Sequence, residues 1–312
     1  MKDKFGREIS YLRISVTDRC NFRCKYCMGD DGIDLLKHED ILSFEEICQT
    51  VEIMVGLGIK KIRLTGGEVF ARRGIMDLIE MLSKIDGIED FAITTNGSMI
   101  YDKLEKLKSL GVSRLNFSLD TLDKKKFEKI TKSDSFDQVI RSINKAIHLG
   151  FKVKINVVLI KGFNDDEISD FIQLTKDKPI EVRFIELMPI GGDIEFDRKN
   201  YKENSYILKG LPIKDLGYDG VSRTFAIDDY KGIIGLISPL SHKFCGECNR
   251  IRLTSDGKIK ACLHSKEEIS IKGLTRSDKE KLIKETIYNK PQSHKLDEKG
   301  SESMRSMSSI GG

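Results

Sequence analysis

Six of the seven cysteines in this 312-residue chain fall into two short groups. Cys20, Cys24 and Cys27 stand at C-x3-C-x2-C in "SVTDRCNFRCKYCM", with Phe22 between the first two and Tyr26 directly before the third. Cys245, Cys248 and Cys262 stand in "FCGECNRIRLTSDGKIKACLHS", with His264 two residues beyond the last. In a reducing compartment such thiols stay free for metals or redox work. The first group puts three ligands on one loop, whereas a closed structural zinc takes four. The nearest imidazole, His38, lies in the charged stretch "LLKHED". A 4Fe-4S cluster accepts three thiolates and leaves one iron open for a substrate or cofactor. A zinc knuckle is the competing reading of the first group. For the second, a Cys3His zinc site using His264 competes with another cluster. Cys48, in the apolar helical segment "SFEEICQTVEIMVGLG", is expected to be a small core residue.

Three further segments, "TGGE" (65–68), "TTNG" (94–97) and "SLD" (118–120), follow β-rich runs. Alone, such Gly-rich and Asn-Gly turns are common at strand ends. Arg250 and Arg252 lie two apart in "RIRLTS", so on a strand both guanidinium groups face one side. That arrangement suits paired hydrogen bonds to phosphate. An ordinary solvated strand face is the alternative.

The elements that must position these residues alternate with a regular rhythm. Strand candidates are "YLRISV", "KKIRLT", "FAITTN", "RLNFSL", "KVKINVVLI" and "IEVRFIEL". Between them lie helix candidates, the first opening at Ser43 with Glu46 three residues on, the signature of a capping box. Repeated βα units of this kind predict a parallel, curved α/β sheet, an incomplete TIM-like barrel of six units. In that architecture chemistry sits at the C-terminal ends of strands, where Cys20, "TGGE", "TTNG" and "SLD" all fall. After about residue 195 the pieces become shorter and more β-like, so the chain divides into a barrel part, 1–195, and a C-terminal α+β subdomain, 196–312. The final polar, Ser-rich stretch is expected to be mobile.

Composition narrows the function classes. At 39% hydrophobic and 33% charged residues, with no run near the ~20 apolar residues of a membrane span, the chain is expected to be a globular cytoplasmic protein without membrane or nucleic-acid partners. The start "MKDKFGREISYL" lacks the apolar stretch of a signal peptide. A net charge of +4 means that any anion site must come from local clustering of Arg and Lys.

The cysteine loop with Tyr26 before its third thiol, followed by "TGGE", resembles the radical S-adenosylmethionine (SAM) superfamily. The resemblance implies that the open iron of a 4Fe-4S cluster chelates SAM and that one electron cleaves it to a 5′-deoxyadenosyl radical. Tyr26, Gly67, Ser118 and Met188 fall where that cofactor is contacted. One departure is Val69, where proline usually follows Gly-Gly-Glu and fixes φ. More widely, "LRISVTDRCNFRCKYCM", "CNRIRLTSDGKIKACL" and the ending "IGG" resemble the GTP 3′,8-cyclase family of molybdenum-cofactor biosynthesis.

That resemblance implies a second 4Fe-4S cluster on Cys245, Cys248 and Cys262, whose open iron meets guanine. It also implies a triphosphate and ribose site of Arg13, Lys61, Arg63, Lys154, Arg183, Arg250 and Arg252, with Thr94 near the nucleotide. Gly311 and Gly312 match a C-terminal tail that enters the active site and is needed for radical initiation. The implied reaction abstracts hydrogen from ribose C3′, joins C3′ to guanine C8 and yields 3′,8-cyclo-7,8-dihydro-GTP. A reductant supplies the electron, cyclic pyranopterin monophosphate synthase takes the product, and a homodimer is favoured. Two rivals are a peptide-modifying radical enzyme and a zinc-stapled binding protein, which would be colourless.

Overall fold

Alternation along the strand runs sorts their side chains onto two faces. The computed structural model describes residues 1–28, 32, 34–190, 198–296 and 300–311. The six expected strands are β1 (Tyr11–Ser15), β2 (Lys61–Thr65), β3 (Asp90–Thr95), β4 (Arg114–Ser118), β5 (Lys152–Leu159) and β6 (Ile180–Glu186), all parallel neighbours in chain order. One set of alternate residues, including Leu12, Ile14, Ile62, Leu64, Ile93, Leu115, Phe117, Ile155 and Phe184, is fully or almost fully buried in the core. Buried residues of the helices α1 (Phe44–Gly56), α2 (Ile75–Ser83), α3 (Leu104–Ser109), α4 (Lys124–Thr131), α5 (Phe136–His148) and α6 (Ile168–Asp177) join the same cluster. The other set is polar and includes Arg13, Arg63, Asn116, Lys154 and Arg183. Period-two alternation therefore gives an oily outer layer and a polar inner face.

The C-terminal part adds β7 (Ile213–Asp219), β8 (Ser222–Ile227), β9 (Ile233–Ile237), β10 (Arg250–Leu253), β11 (Lys258–Lys260), β12 (Ile269–Ser270), α7 (Arg276–Tyr288) and α8 (Met307–Ile310). Its strands extend the same sheet at both edges, in the order β12-β11-β10-β1-β2-β3-β4-β5-β6-β9-β8-β7 among the described residues. β10 runs parallel to β1 and β9 parallel to β6, so the division expected near 195 marks no break in the sheet. That boundary itself lies outside the described residues. The order ends on β12 and β7 and does not close on itself, as in an incomplete barrel.

β7 gave no sequence signal because six of its seven residues are exposed, which leaves no alternation to detect. The tail also differs from the mobile segment expected. Over 300–311, Arg305 is held by Asp256 at 2.7 Å and Glu268 at 2.8 Å, and Ile310 is fully buried. Two carboxylates and one apolar anchor are enough to dock this stretch.

α1 opens as its sequence predicts. Ser43 Oγ accepts the Glu46 N–H at 3.1 Å, and Glu46 Oε2 accepts the Ser43 N–H at 2.8 Å. Ser43→Ala removes one half of this box and is expected to cost about 1 kcal/mol, read as a lower thermal midpoint with the sheet unchanged by circular dichroism.

Candidate active site

The loop after β1 is pinned on two sides. Arg23 N–H donates to the Thr131 carbonyl at 2.8 Å and Lys25 N–H to the Ile130 carbonyl at 3.2 Å, which ties the first cysteine group to the end of α4. Phe22 packs edge-on against Phe127, with ring centroids 5.6 Å apart. On the other side "TGGE" approaches the loop backbone directly. Gly67 N–H donates to the Thr17 carbonyl at 2.7 Å and Glu68 N–H to the Arg19 carbonyl at 2.8 Å. A Cβ on Gly67 would collide with the Arg19 carbonyl, so glycine is required there.

Glu68 is completely buried and accepts from Thr95 Oγ1 at 2.8 Å, Asn96 N at 2.7 Å and Phe70 N at 3.1 Å. It thereby joins the ends of β2 and β3. Val69, in the usual proline position, is fully buried in a short 3-10 turn. The loop gets its fixed shape from these hydrogen bonds in place of a ring-locked φ.

Hairpin geometry explains the spacing of the second cysteine group. Cys245 and Cys248 share a tight turn, with Cys248 N–H donating to the Cys245 carbonyl at 3.2 Å. β10 then runs out and β11 returns antiparallel, pairing Arg252 with Lys260, so that Cys262 comes back level with Arg250. The 13 residues between Cys248 and Cys262 are the length of this excursion.

Both cysteine groups line one cavity, which also receives Arg13, Arg63, Arg183, Arg250 and Arg252 from the strands. Arg252, Arg13 and Arg63 lie in one row, paired in register across β10, β1 and β2. Burial, reinforced by Arg252 and Arg63, holds Arg13 well below the usual arginine range. Burial, then Arg250, pulls Arg252 down to about 10. Three like charges in a buried row favour an anion in the space they face.

Of the other expected ligands, Thr94, Tyr26, Gly67, Ser118 and Met188 line the cavity. Thr94 Oγ1 is buried without a hydrogen-bond partner. Gly311 lies against Ser15 and Thr65, and its carbonyl accepts from Arg252. Gly312 falls outside the described residues.

Two expected ligands are not brought in. Lys61 opens β2 and is exposed, because a long side chain at a strand start reaches solvent. Lys154 does not line the cavity and its ammonium is held by Glu181 at 2.7 Å and by Asp219. Cys48 is a buried member of the α1 core, where burial pushes its thiol up to about 11.

Several cavity residues escaped sequence reasoning. Asp120 accepts from Tyr26 Oη at 2.7 Å and from Val158 N at 2.8 Å, and burial pushes its carboxyl up to about 6. "SLD" marked its strand end without revealing its partners. Asn156 follows Lys154 on the same face of β5, a legible position. Lys290 and His294 arrive from after α7 and carried no signal.

The thiols of the two groups differ in electrostatics. Burial, then the charge of Asp120, holds Cys24 well above the usual thiol range, and burial pushes Cys27 up to about 12. Burial also opposes ionisation of Cys248, but Lys290 and Arg250 more than offset it and hold that thiol below its ordinary value. Among the described residues no three His, Cys, Asp or Glu side chains gather tightly enough for a single ion. In a 4Fe-4S cube each thiolate binds a different iron, so three cysteines without a fourth protein ligand suffice. His264 donates no charge here, since burial, then His294, pulls its ring down to about 3.

Residues 14–175 match the Radical SAM superfamily, and residues 180–296 match the family described as Molybdenum Cofactor Synthesis C. A protein of Alkaliphilus oremlandii (strain OhILAs) named GTP 3′,8-cyclase is 47% identical over 320 residues, covering 100% of both chains. The chain belongs to the GTP 3′,8-cyclase family. Another GTP 3′,8-cyclase, of Clostridium botulinum (strain Langeland / NCTC 10281 / Type F), is 45% identical over 100% of both chains. Among solved structures, Streptococcus suis SuiB bound to S-adenosylmethionine superposes with a TM-score of 0.65 at 15% identity, covering 92% of this chain and 67% of its own. At that identity the likeness is one of fold alone.

The charge difference between the two trios has a direct readout. In the metal-free protein, iodoacetamide is expected to modify Cys248 at lower pH than Cys24 or Cys27, because the thiolate is the reactive form. Mass spectrometry of peptides alkylated across a pH series checks the order; equal pH profiles would contradict it.

Proposed function

We propose that this chain is a radical SAM lyase that cyclises GTP to 3′,8-cyclo-7,8-dihydro-GTP, the first step of molybdenum-cofactor biosynthesis. The observation that carries the reading is the meeting of both cysteine trios and a buried arginine row in one cavity. Cys20, Cys24 and Cys27 would hold the SAM-binding 4Fe-4S cluster, and Cys245, Cys248 and Cys262 the substrate-binding one. When bound, the first cluster and SAM supply the one-electron cleavage that generates a hydrogen-abstracting radical.

The protein's own share is placement and charge. Gly67, Tyr26, Ser118 and Met188 shape the SAM side, with Asp120 fixing the Tyr26 hydroxyl. Arg13, Arg63, Arg250 and Arg252 face the triphosphate, whose roughly four charges compensate the buried row. Arg183 joins them from β6, and Thr94 addresses the rest of the nucleotide. The docked tail brings Gly311 against Arg252, so tail and phosphates are read by the same side chain. Resemblance to the family further supports passage of product to cyclic pyranopterin monophosphate synthase, an external one-electron reductant, a homodimer and a cytoplasmic setting. No helix among the described residues is long and apolar enough to cross a membrane.

Anaerobic reconstitution followed by SAM, dithionite and GTP tests this reading. The expected products are 5′-deoxyadenosine and an isomer of GTP, both followed by mass spectrometry. Deoxyadenosine without GTP conversion would send the search to another substrate. Arg250→Ala and Arg252→Ala are each expected to weaken GTP binding by on the order of 1.5 to 3 kcal/mol. Unchanged affinity in both would misplace the phosphates.

A further inference from the structure

At the far side of the arginine row, the strands carry a separate four-charge network. Lys154 binds Glu181 at 2.7 Å and also Asp219, while Arg183 binds Asp219 at 2.7 Å and also Glu181. Two cations meet two carboxylates, and the charges cancel. A triphosphate approaching Lys154 and Arg183 meets two carboxylates that repel it.

The two acids are not equally able to yield. Glu181 lies on a central strand, its side chain 6% exposed, and it also receives Ser222 Oγ at 3.4 Å. Asp219 ends β7, the outermost strand, and its side chain is 48% exposed. The backbone beneath it is anchored, since Val221 and Ser222 in the adjoining turn are buried. The side chain of Asp219 can therefore rotate into water without the hairpin unfolding. Lys154 and Arg183, with Glu181 alone between them, would then carry one net positive charge toward the nucleotide.

We infer that Asp219 is an exchangeable carboxylate of the nucleotide site, occupying the anion position between Lys154 and Arg183 until a phosphate of the substrate replaces it. This rests on GTP being the substrate. It also accounts for Lys154 standing off the cavity wall in the ligand-free protein: the carboxylate holds it there. Asp219 is a positioning residue by this reading, acting on substrate through the two cations it releases.

The test compares reconstituted wild type with Asp219→Asn by anaerobic equilibrium dialysis against GTP and against guanosine. The expected result is GTP affinity about tenfold higher in the variant, the equivalent of about 1.4 kcal/mol, with guanosine affinity unchanged. Unchanged or weaker GTP binding overturns the inference, as does an equal gain for guanosine, which would mean a general change of the site. Should Asp219→Asn not fold, Asp219→Ser replaces it; if neither folds, Asp219 is structural and the exchange is wrong. Wild-type turnover of GTP in the same preparation keeps the two readings apart. Turnover without tightening sinks only Asp219, whereas no GTP binding at all sinks both.

Discussion

Buried like charges set the terms for this molecule. Arg252, Arg13 and Arg63 are placed side by side by strand register, and a row of that kind is costly until an anion completes it. The oily outer face of the same strands offsets the cost, because every inward arginine alternates with a core residue such as Leu12, Ile14, Ile62 or Leu64. Stability and site are thus two faces of one strand pattern. The helices stabilise the sheet so that its inner side can remain polar and charged.

The loop chemistry follows a related rule. A buried carboxylate without a cation is tolerated when backbone and hydroxyl donors saturate it, and Glu68 is saturated in this way by Thr95, Asn96 and Phe70. It turns three separate strand-end loops into one rigid frame around the first cysteine group. That frame explains how the chain dispenses with the proline that usually follows Gly-Gly-Glu. Asp120 uses the same device with Tyr26 and the Val158 amide.

Much of this was legible in the residues. The six parallel strands, the capping box of α1, both cysteine trios and the Arg250/Arg252 pair announced themselves by period and spacing, whereas Arg13, Arg63 and Arg183 entered only through the family resemblance. What stayed hidden had no period to show. β7 is exposed nearly throughout, and the side chains that complete the cavity wall, Lys290 and His294, come from after α7. The family resemblance placed Lys61 and Lys154 in the site but could not foretell what each meets: solvent for one, a carboxylate pair for the other. The polar tail looked unstructured because its two acidic partners, Asp256 and Glu268, lie far back in the chain.

The pairing of β1 with β10 has a consequence for how the protein is made. β1 is among the first segments to leave the ribosome, yet the strand that covers one of its edges begins at Arg250. Domains tend to fold as they emerge, but here the arginine row spans that late seam. A growing chain can therefore assemble the central strands and their helices while still lacking Arg250 and Arg252 of the cavity wall. A prematurely terminated copy would own an incomplete cavity, with the first cysteine group in place and the second, together with Arg250 and Arg252, missing from its wall.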